Sequence, residues 1–289
     1  MKIAVVTDST AYLPQQLIDQ YHITVVPIPV VLDGQTYNEG VDISSADFYA
    51  KLNQSEHFPS TAQPAIGQMV ELYENLGDQG FDIVLSIHLA STISGFFENL
   101  KNIVPLVKNT RVIPYDSQIT VILMGQMVLL AAQMAQAAKT IDEILALLDA
   151  LRATTDEYFI VNDLQNLVKG GRLSNASAFL GGMLRIKPIL TFDDDSNKIV
   201  AFEKIRSLKK AYLRVEDLFA EALRKTDYPI HAFVIAANDE PAAIEWEAHL
   251  KERFPAVKFD VSYFGPVIGT HLGEKAIAIG WLKDEQFKA

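Results

Sequence analysis

The stretch FDIVLSIHLASTISGFFENL (residues 81–100) joins a strand-like run to a helix-like run through a small polar turn. Residues 81–89 are mostly apolar and contain Ile and Val, which favours a strand, and a helix-like segment begins near Gly95. The turn between them carries hydroxyl side chains at Ser91, Thr92 and Ser94. Hydroxyls in this position suit a nucleophile, an anion cradle or a helix cap. The stretch by itself leaves all three roles open.

The same alternation extends over the first half of the chain. Apolar runs at 2–9, 23–32 and 110–117 are each predicted to be one strand. The two prolines in 23–32 suggest an edge strand or an irregular path. The alternation is typical of an α/β parallel sheet, in which ligands collect at the carboxyl ends of the strands. We therefore expect an N-terminal three-layer α/β domain on a parallel sheet over residues 1–155.

The rhythm changes after residue 155. Two strand-like runs joined by a polar turn occupy residues 187–207, and later strand-like runs alternate with helix-like segments. A hairpin followed by helices and further strands is typical of a mixed sheet. We expect a second α/β domain, built on a mixed sheet, over residues 156–289.

Composition excludes several classes of function. The 289 residues include 25 basic and 36 acidic side chains, a formal net charge of -11, with no basic stripe for nucleic acid. The chain has no cysteine, which removes disulfides, thiolate zinc sites and cysteine nucleophiles and fits a cytoplasmic location. The N-terminus is typical of a first strand and not of a signal peptide. The apolar segment 120–138 is interpreted as a buried helix instead of a membrane span.

Motifs for phosphate and metal binding are missing. No Gly-rich phosphate loop is present, and the histidines are scattered without metal-ligand spacing, so we expect neither a metal nor a cofactor. His88 in its apolar strand is interpreted as a core histidine. His271 is predicted to lie in a Gly-rich turn, which suits a side chain that points at a ligand or at another residue.

Anion binding explains the remaining polar residues best. Free N–H groups at a helix N-terminus attract a carboxylate or phosphate, Thr61 precedes one predicted helix, and Gly95 opens another to close approach. Arg172 follows two glycines and suits bidentate carboxylate recognition. A serine hydrolase using Ser91 or Ser94 with His271 stays open, although no nucleophile elbow is present.

A set of motifs recurs here in the order typical of one family. The motifs are TDS (7–9), PSTAQP (59–64), IHLASTISGFF (87–97), LVKGGRLSNASAFLGGMLRIKPILTF (167–192), KIRSLKKA (204–211) and GPVIGTHLG (265–273). Through them the whole chain resembles the DegV family. That family is similar in fold to the substrate domain of dihydroxyacetone kinase, with two α/β domains and a ligand in the crevice between them.

The resemblance implies a function. It implies a non-catalytic protein that binds one long-chain fatty acid, such as palmitate, stearate or oleate, in lipid transport or fatty acid metabolism. The acid would be presented to the catalytic subunit of a fatty acid kinase, which uses ATP to make acyl phosphate. The same resemblance leaves room for transient contact with a membrane surface. A dihydroxyacetone-kinase-like substrate subunit, in which a histidine carries a small ketone, is a further alternative.

The resemblance also assigns roles to residues. Those matched to carboxylate binding are Thr61, Ser91, Ser94, Gly95, Arg172 and His271. A pocket for the acyl tail requires apolar side chains in its wall. The candidates for this wall are Phe179, Leu180, Met183, Leu184, Ile189 and Leu190. Arg206 matches a basic residue that contacts the kinase partner.

This chain departs from the family pattern at several of these places. Ala90 and Thr92 change the hydroxyls of the turn. Val121 and Leu123 stand where the family carries small Ser and Gly, which suggests a bulkier tunnel with a different preference for chain length or unsaturation. Glu274 and Lys275 replace a common Pro-Gly pair.

Overall fold

The structure is a computed structural model and describes residues 1–162, 164–179 and 186–287. Its strands, in chain order, are β1 (Ile3–Asp8), β2 (Thr24–Val26), β3 (Pro29–Leu32), β4 (Gln35–Asn38), β5 (Ser60–Thr61), β6 (Ile83–His88), β7 (Arg111–Asp116), β8 (Asp156–Ile160), β9 (Lys187–Phe192), β10 (Ile199–Ile205), β11 (Ile230–Ala236), β12 (Lys258–Tyr263) and β13 (Ile277–Lys283). Its helices are α1 (Gln15–Gln20), α2 (Ser45–Leu52), α3 (Ile66–Asp78), α4 (Phe96–Ile103), α5 (Val121–Gln136), α6 (Ile141–Arg152), α7 (Gln165–Lys169), α8 (Ala176–Phe179), α9 (Leu208–Arg224), α10 (Glu240–Arg253) and α11 (Pro266–Leu272).

The first half of the chain forms the expected parallel sheet. Its order is β2-β1-β6-β7, and every pairing in it is parallel. Strands β1 and β6 are buried along their whole length, as near-continuous apolar runs in a parallel sheet should be. The carboxyl ends of β1, β6 and β7 therefore meet at one edge, where the polar turns after each strand come together.

The second half forms the expected mixed sheet. Its order is β10-β9-β8-β13-β11-β12, with β11 and β12 parallel and the other neighbours antiparallel. A small antiparallel sheet of order β4-β3-β5 was not anticipated from the sequence. The chain therefore forms two α/β units, one on the parallel sheet and one on the mixed sheet, which confirms the predicted α/β fold class.

Helix α5 lies between the two large sheets and contacts β1, β6, β12 and β13. It is apolar on most sides because most of its residues are buried. A Cβ on Gly125 would stand 2.3 Å from the carbonyl oxygen of Ala11, so only glycine permits this approach. The buried-helix interpretation is confirmed, and none of the described helices has the length and apolar character that a membrane crossing requires.

Two local predictions were wrong. Residues 23–32 are two strands in two different sheets, because Pro27 lacks an N–H donor and the chain leaves the parallel sheet there. His271 does not lie in a turn but in the last turn of α11, whose first residue, Pro266, needs no N–H partner.

Candidate functional site

A cavity of about 300 Å³ lies between the parallel and mixed sheets. This volume is at the lower end of the roughly 300–1,000 Å³ typical of small-molecule pockets. Most of its wall is apolar and comes from both halves of the chain, including Leu89, Phe96, Leu123, Phe159, Ile235 and Ala278. The cavity therefore occupies the crevice between the two sheets and offers an apolar ligand a largely dry enclosure.

Four of the polar side chains in the cavity wall are residues that the sequence predicts to bind the carboxylate. They are Thr61, Ser94, Arg172 and His271. The Thr61 Oγ1 and His271 Nε2 atoms are 3.0 Å apart and share a hydrogen bond. Thr61 ends β5, Ser94 precedes α4, Arg172 follows α7 and His271 ends α11, so this cluster exists only once both halves of the chain have folded together.

The paired glycines before Arg172 have separate structural reasons. A Cβ on Gly170 would stand 2.6 Å from His271 Nδ1, so glycine is needed for the imidazole ring to pack there. Gly171 has φ +69°, a left-handed conformation that favours glycine. Together they direct Arg172 beside His271. The GGR motif thus places the Arg172 guanidinium and the His271 imidazole next to each other in the cavity wall.

Arg172 is held by backbone carbonyls and keeps part of its donor capacity. Its Nε donates to the Ile93 carbonyl oxygen at 3.1 Å, and its Nη1 donates to the Gly170 carbonyl oxygen. Nη2 has no hydrogen-bond partner among the residues that the structure describes. A guanidinium fixed in this way can donate to a ligand carboxylate with little further loss of freedom.

His271 is neutral at ordinary pH. Burial, together with the nearby positive charge of Arg172, lowers its pKa to about 4. The cluster therefore presents one fixed positive charge, that of Arg172, with neutral groups around it. This charge matches a single carboxylate.

Helix α11, which carries His271, is fixed at its other end by Glu39. The Glu39 carboxyl accepts hydrogen bonds from Ser9 Oγ at 2.5 Å, from Tyr12 Oη at 3.1 Å and from the Val267 amide at 2.9 Å. Burial raises the pKa of Glu39 to about 7. This residue ties the N-terminal half of the chain to the helix that places His271.

The residues of the opening turn have different roles. Ser94 lines the cavity, and its Oγ accepts a hydrogen bond from the Phe96 amide at 3.3 Å, which leaves the hydroxyl hydrogen free to donate elsewhere. Ser91 and Gly95 do not line the cavity. Ser91 donates its backbone N–H to Asp116 Oδ1 at 3.1 Å, and Gly95 is the N-cap residue of α4. Thr92 donates its hydroxyl to the Asn197 carbonyl oxygen.

A second polar group lies behind this turn and is sealed from the cavity. His88 Nδ1 lies 3.0 Å from Asp8 Oδ2, and His88 Nε2 lies 2.7 Å from Ser86 Oγ. The Ser86 hydroxyl also hydrogen-bonds to Tyr73 Oη at 2.8 Å. Asp8, Ser86 and His88 are fully buried, so the interpretation of His88 as a core histidine is confirmed. The Asp8 carboxylate also accepts the Leu89 amide at 3.1 Å, which fixes the start of the turn.

The predicted tail lining is only partly described. Leu180, Met183 and Leu184, and the side chain of Phe179, lie outside the described residues. Ile189 and Leu190 are buried but are not part of the cavity wall. Ile189 belongs to the core that includes Ala211 and Phe219, because successive strand residues face opposite sides of a sheet.

Sequence reasoning missed most of the wall that the structure shows. The mixed sheet contributes Glu157, Phe159, Phe192, Ile235 and Ala278. Alternation along β8 could have placed Glu157 and Phe159 on one face of the strand. It could not have shown that this face lines the cavity.

Arg206, the predicted contact for a kinase partner, is exposed just after β10.

The hydrolase alternative is not supported. Among residues 1–162, 164–179 and 186–287, neither Ser91 nor Ser94 hydrogen-bonds to His271. Asp8 and Asp116, the carboxylates at the ends of β1 and β7, contact His88 and the Ser91 amide and not His271. The described residues also contain no group of three or more His, Asp or Glu side chains that could hold a metal ion.

Comparison with known proteins places the chain in a family. Residues 2–284 match the family described as "Uncharacterised protein, DegV family". A DegV domain-containing protein of Listeria innocua is 47% identical over 280 residues, which cover 97% of this chain and 98% of that protein.

Two solved structures are similar over nearly their whole length. The first, DegV of Bacillus subtilis, described as a fatty acid binding protein, has 43% identity and a TM-score of 0.89 and covers 98% of this chain and 100% of that one. The second, a fatty acid binding DegV family protein of Streptococcus agalactiae, has 33% identity and a TM-score of 0.91 and covers 99% and 100%. On these matches and on the motifs above, the chain belongs to the DegV family.

Proposed function

We propose that this protein binds one long-chain fatty acid, with the acyl tail in the cavity and the carboxylate at Thr61, Ser94, Arg172 and His271. The observation that carries the proposal is the cavity itself, which is apolar over most of its wall and polar at a cluster with one fixed positive charge. The similar structures from Bacillus subtilis and Streptococcus agalactiae are described as fatty acid binding, which supports the same ligand class here.

The energetics favour a long apolar ligand with a small anionic head. Each buried methylene contributes about 0.8 kcal/mol, so a long acyl chain supplies on the order of 10 kcal/mol before the cost of ordering it. A carboxylate that accepts from Arg172 Nη2 and from neighbouring hydroxyls keeps its hydrogen bonds when it leaves water. Neutral His271 adds a hydrogen-bonding group without adding a second charge.

We further propose that the bound acid is presented to a separate kinase subunit, and that this chain does no catalysis itself. Leu272, next to His271, lines both the cavity and a surface depression. Residues 52, 53, 55–59, 162, 166 and 272–275 form this depression. The polar end of the cavity thus lies close to the surface, where a partner could reach the carboxylate. Exposed Arg206 is the proposed contact for that kinase subunit. The proposed location of the protein is the cytoplasm, and transient contact of the protein with a membrane surface is part of the same proposal.

Native mass spectrometry of protein purified from a bacterial host tests the ligand. We expect one fatty acid per chain, identified after organic extraction. Protein that carries no acid, and takes up neither palmitate nor oleate when they are added, would contradict the proposed function. Adding the purified kinase subunit and ATP to acid-loaded protein then tests presentation, with acyl phosphate as the expected product.

A further inference from the structure

A buried carboxyl group lies in the cavity wall in addition to the proposed head-group residues. Glu157 is the only acidic side chain among the described residues of that wall, and it is only 7% exposed. Burial raises its pKa well above that of an ordinary carboxyl, and the nearby Asp156 carboxylate acts in the same direction. The head-group cluster does not use it.

Glu157 separates the cavity from a second, polar space. It lines the cavity together with Ile119 and Phe192, and the same three residues line a surface depression on the outer side. That depression also contains Asp156, Asp193 and other polar groups. The barrier between the apolar cavity and solvent at this place is therefore one layer of side chains.

The carboxyl group of Glu157 is fixed in this barrier. Its Oε1 accepts hydrogen bonds from the Phe192 amide at 2.7 Å and from Thr191 Oγ1 at 3.2 Å. The described pairing of β8 with β9 ends at Phe159, so the side chain of Glu157 holds β9 where the backbone ladder stops. Oε2 has no hydrogen-bond partner among the residues that the structure describes.

Glu157 lies away from α11, the helix that carries His271. Ile277, the first residue of β13 after α11, pairs with Ile160, whereas Glu157 pairs with Gly280. Three residues of strand correspond to about 10 Å. The depression behind Glu157 also shares no residue with the one beside His271. Glu157 and α11 therefore lie at different positions along the cavity wall.

We propose that Glu157 closes the distal end of the acyl cavity and so limits the length of the fatty acid that the protein accepts. This inference rests on the proposed function. The Glu157 carboxyl acts as an end wall because its hydrogen bonds to Thr191 and Phe192 hold it in place against the terminal methyl group. Shortening this side chain removes the layer between the cavity and the depression and admits further methylenes.

Affinities of delipidated protein for myristate, palmitate, stearate, arachidate and behenate test this role. We expect Glu157→Ala to shift the length preference toward longer acids, with an affinity gain of about fourfold for each methylene newly admitted. Glu157→Gln keeps the size and the Oε1 acceptor and should keep the wild-type profile. Asp156→Ala is the matched control, because Asp156 lines the depression and not the cavity.

The outcomes separate the two proposals. If wild type binds these acids and Glu157→Ala shows the same length profile, the end-wall role is wrong and the proposed function stands. If wild type binds none of the acids, both are wrong. Should Glu157→Ala fail to fold, Glu157→Asp replaces it, since the carboxyl retreats by one methylene and the profile should shift by about fourfold in favour of the longer acid.

Discussion

His88 and His271 both hydrogen-bond to a hydroxyl side chain, yet only His271 faces the cavity. His88 stands between Asp8 and Ser86, which is the order of groups in a hydrolytic triad. All three side chains are fully buried, and Ser86 is engaged by Tyr73 as well. A substrate cannot reach them, so this arrangement stabilises the parallel sheet instead of doing chemistry.

His271 shows the opposite combination. It has no carboxylate partner among the described residues, its hydroxyl partner is Thr61, and its neighbouring charge is that of Arg172. These groups donate hydrogen bonds toward an anion and do not activate a nucleophile. Access and the sign of the nearby charge, more than the order of the polar groups, distinguish the binding site from the buried network.

The largest effect is expected from breaking the buried network. Asp8 accepts hydrogen bonds from the Thr10 amide and hydroxyl, from His88 and from the Leu89 amide. Asp8→Ala leaves these donors unpaired in the interior and should lower the free energy of unfolding by about 3 kcal/mol or more. Urea denaturation measures it. The milder Asp8→Asn should lower the free energy of unfolding by less. If Asp8→Ala lowers it by less than about 1 kcal/mol, Asp8 has no structural role.

The second test uses pH to separate His271 from the rest. Its pKa is about 4 in the folded protein and about 6.5 when unfolded, so the unfolded chain binds the proton more readily. The free energy of unfolding should therefore fall as pH drops from about 6.5 to about 4, by up to about 3 kcal/mol.

The pH dependence of wild type alone does not isolate His271, because Glu39 titrates in an overlapping pH range. Burial raises the pKa of Glu39 to about 7, so its contribution to stability falls as pH rises over an overlapping range. The difference between delipidated wild type and His271→Gln isolates the histidine. Equal pH dependence in the two proteins would show that His271 is not held neutral.

The third test removes the charge of the site. Arg172→Ala should weaken palmitate binding by about tenfold to a hundredfold, since a hydrogen bond to a charged group contributes about 1.5–3 kcal/mol. Displacement of a fluorescent fatty acid measures the affinity. Arg111→Ala, which removes an exposed arginine at the start of β7, is the control and should bind as wild type does. An unchanged affinity in Arg172→Ala would refute the head-group assignment.

The smallest effect separates two serines of one turn. Ser94→Ala should weaken palmitate binding by about threefold to tenfold, the loss of one neutral hydrogen bond. Ser91→Ala should change it little, because Ser91 contacts Asp116 through its backbone N–H and does not line the cavity. The same displacement assay compares them. A larger effect at Ser91 than at Ser94 would reverse the assignment of the turn.

Much of the fold could be predicted because its signals are local. The buried strand before Ser91 reads as a continuous apolar run, and Thr140 caps α6 with Glu143 in a capping box, as its position predicts. The division of residues 23–32 and the helix that carries His271 escaped prediction, because both depend on contacts with other elements.

The candidate site could be predicted only in part. Thr61, Ser94, Arg172 and His271 carry recognisable motifs, and the structure brings them together. Glu157 has no such motif, since a single acidic residue in a strand is ordinary, and its place in the wall depends on the pairing of β8 with β9 and β13.

The sequence by itself determined the two-sheet α/β plan, the buried helix α5 and the types of residue available to hold an anion. Periodicity, caps and turn residues act over a few neighbouring positions, so they are readable along the chain. Only the tertiary structure decided which hydroxyl faces the cavity, which histidine is sealed and which carboxyl lines the cavity wall. Those outcomes depend on register and packing between segments more than a hundred residues apart, as in the Thr61–His271 pair, separated by 210 positions.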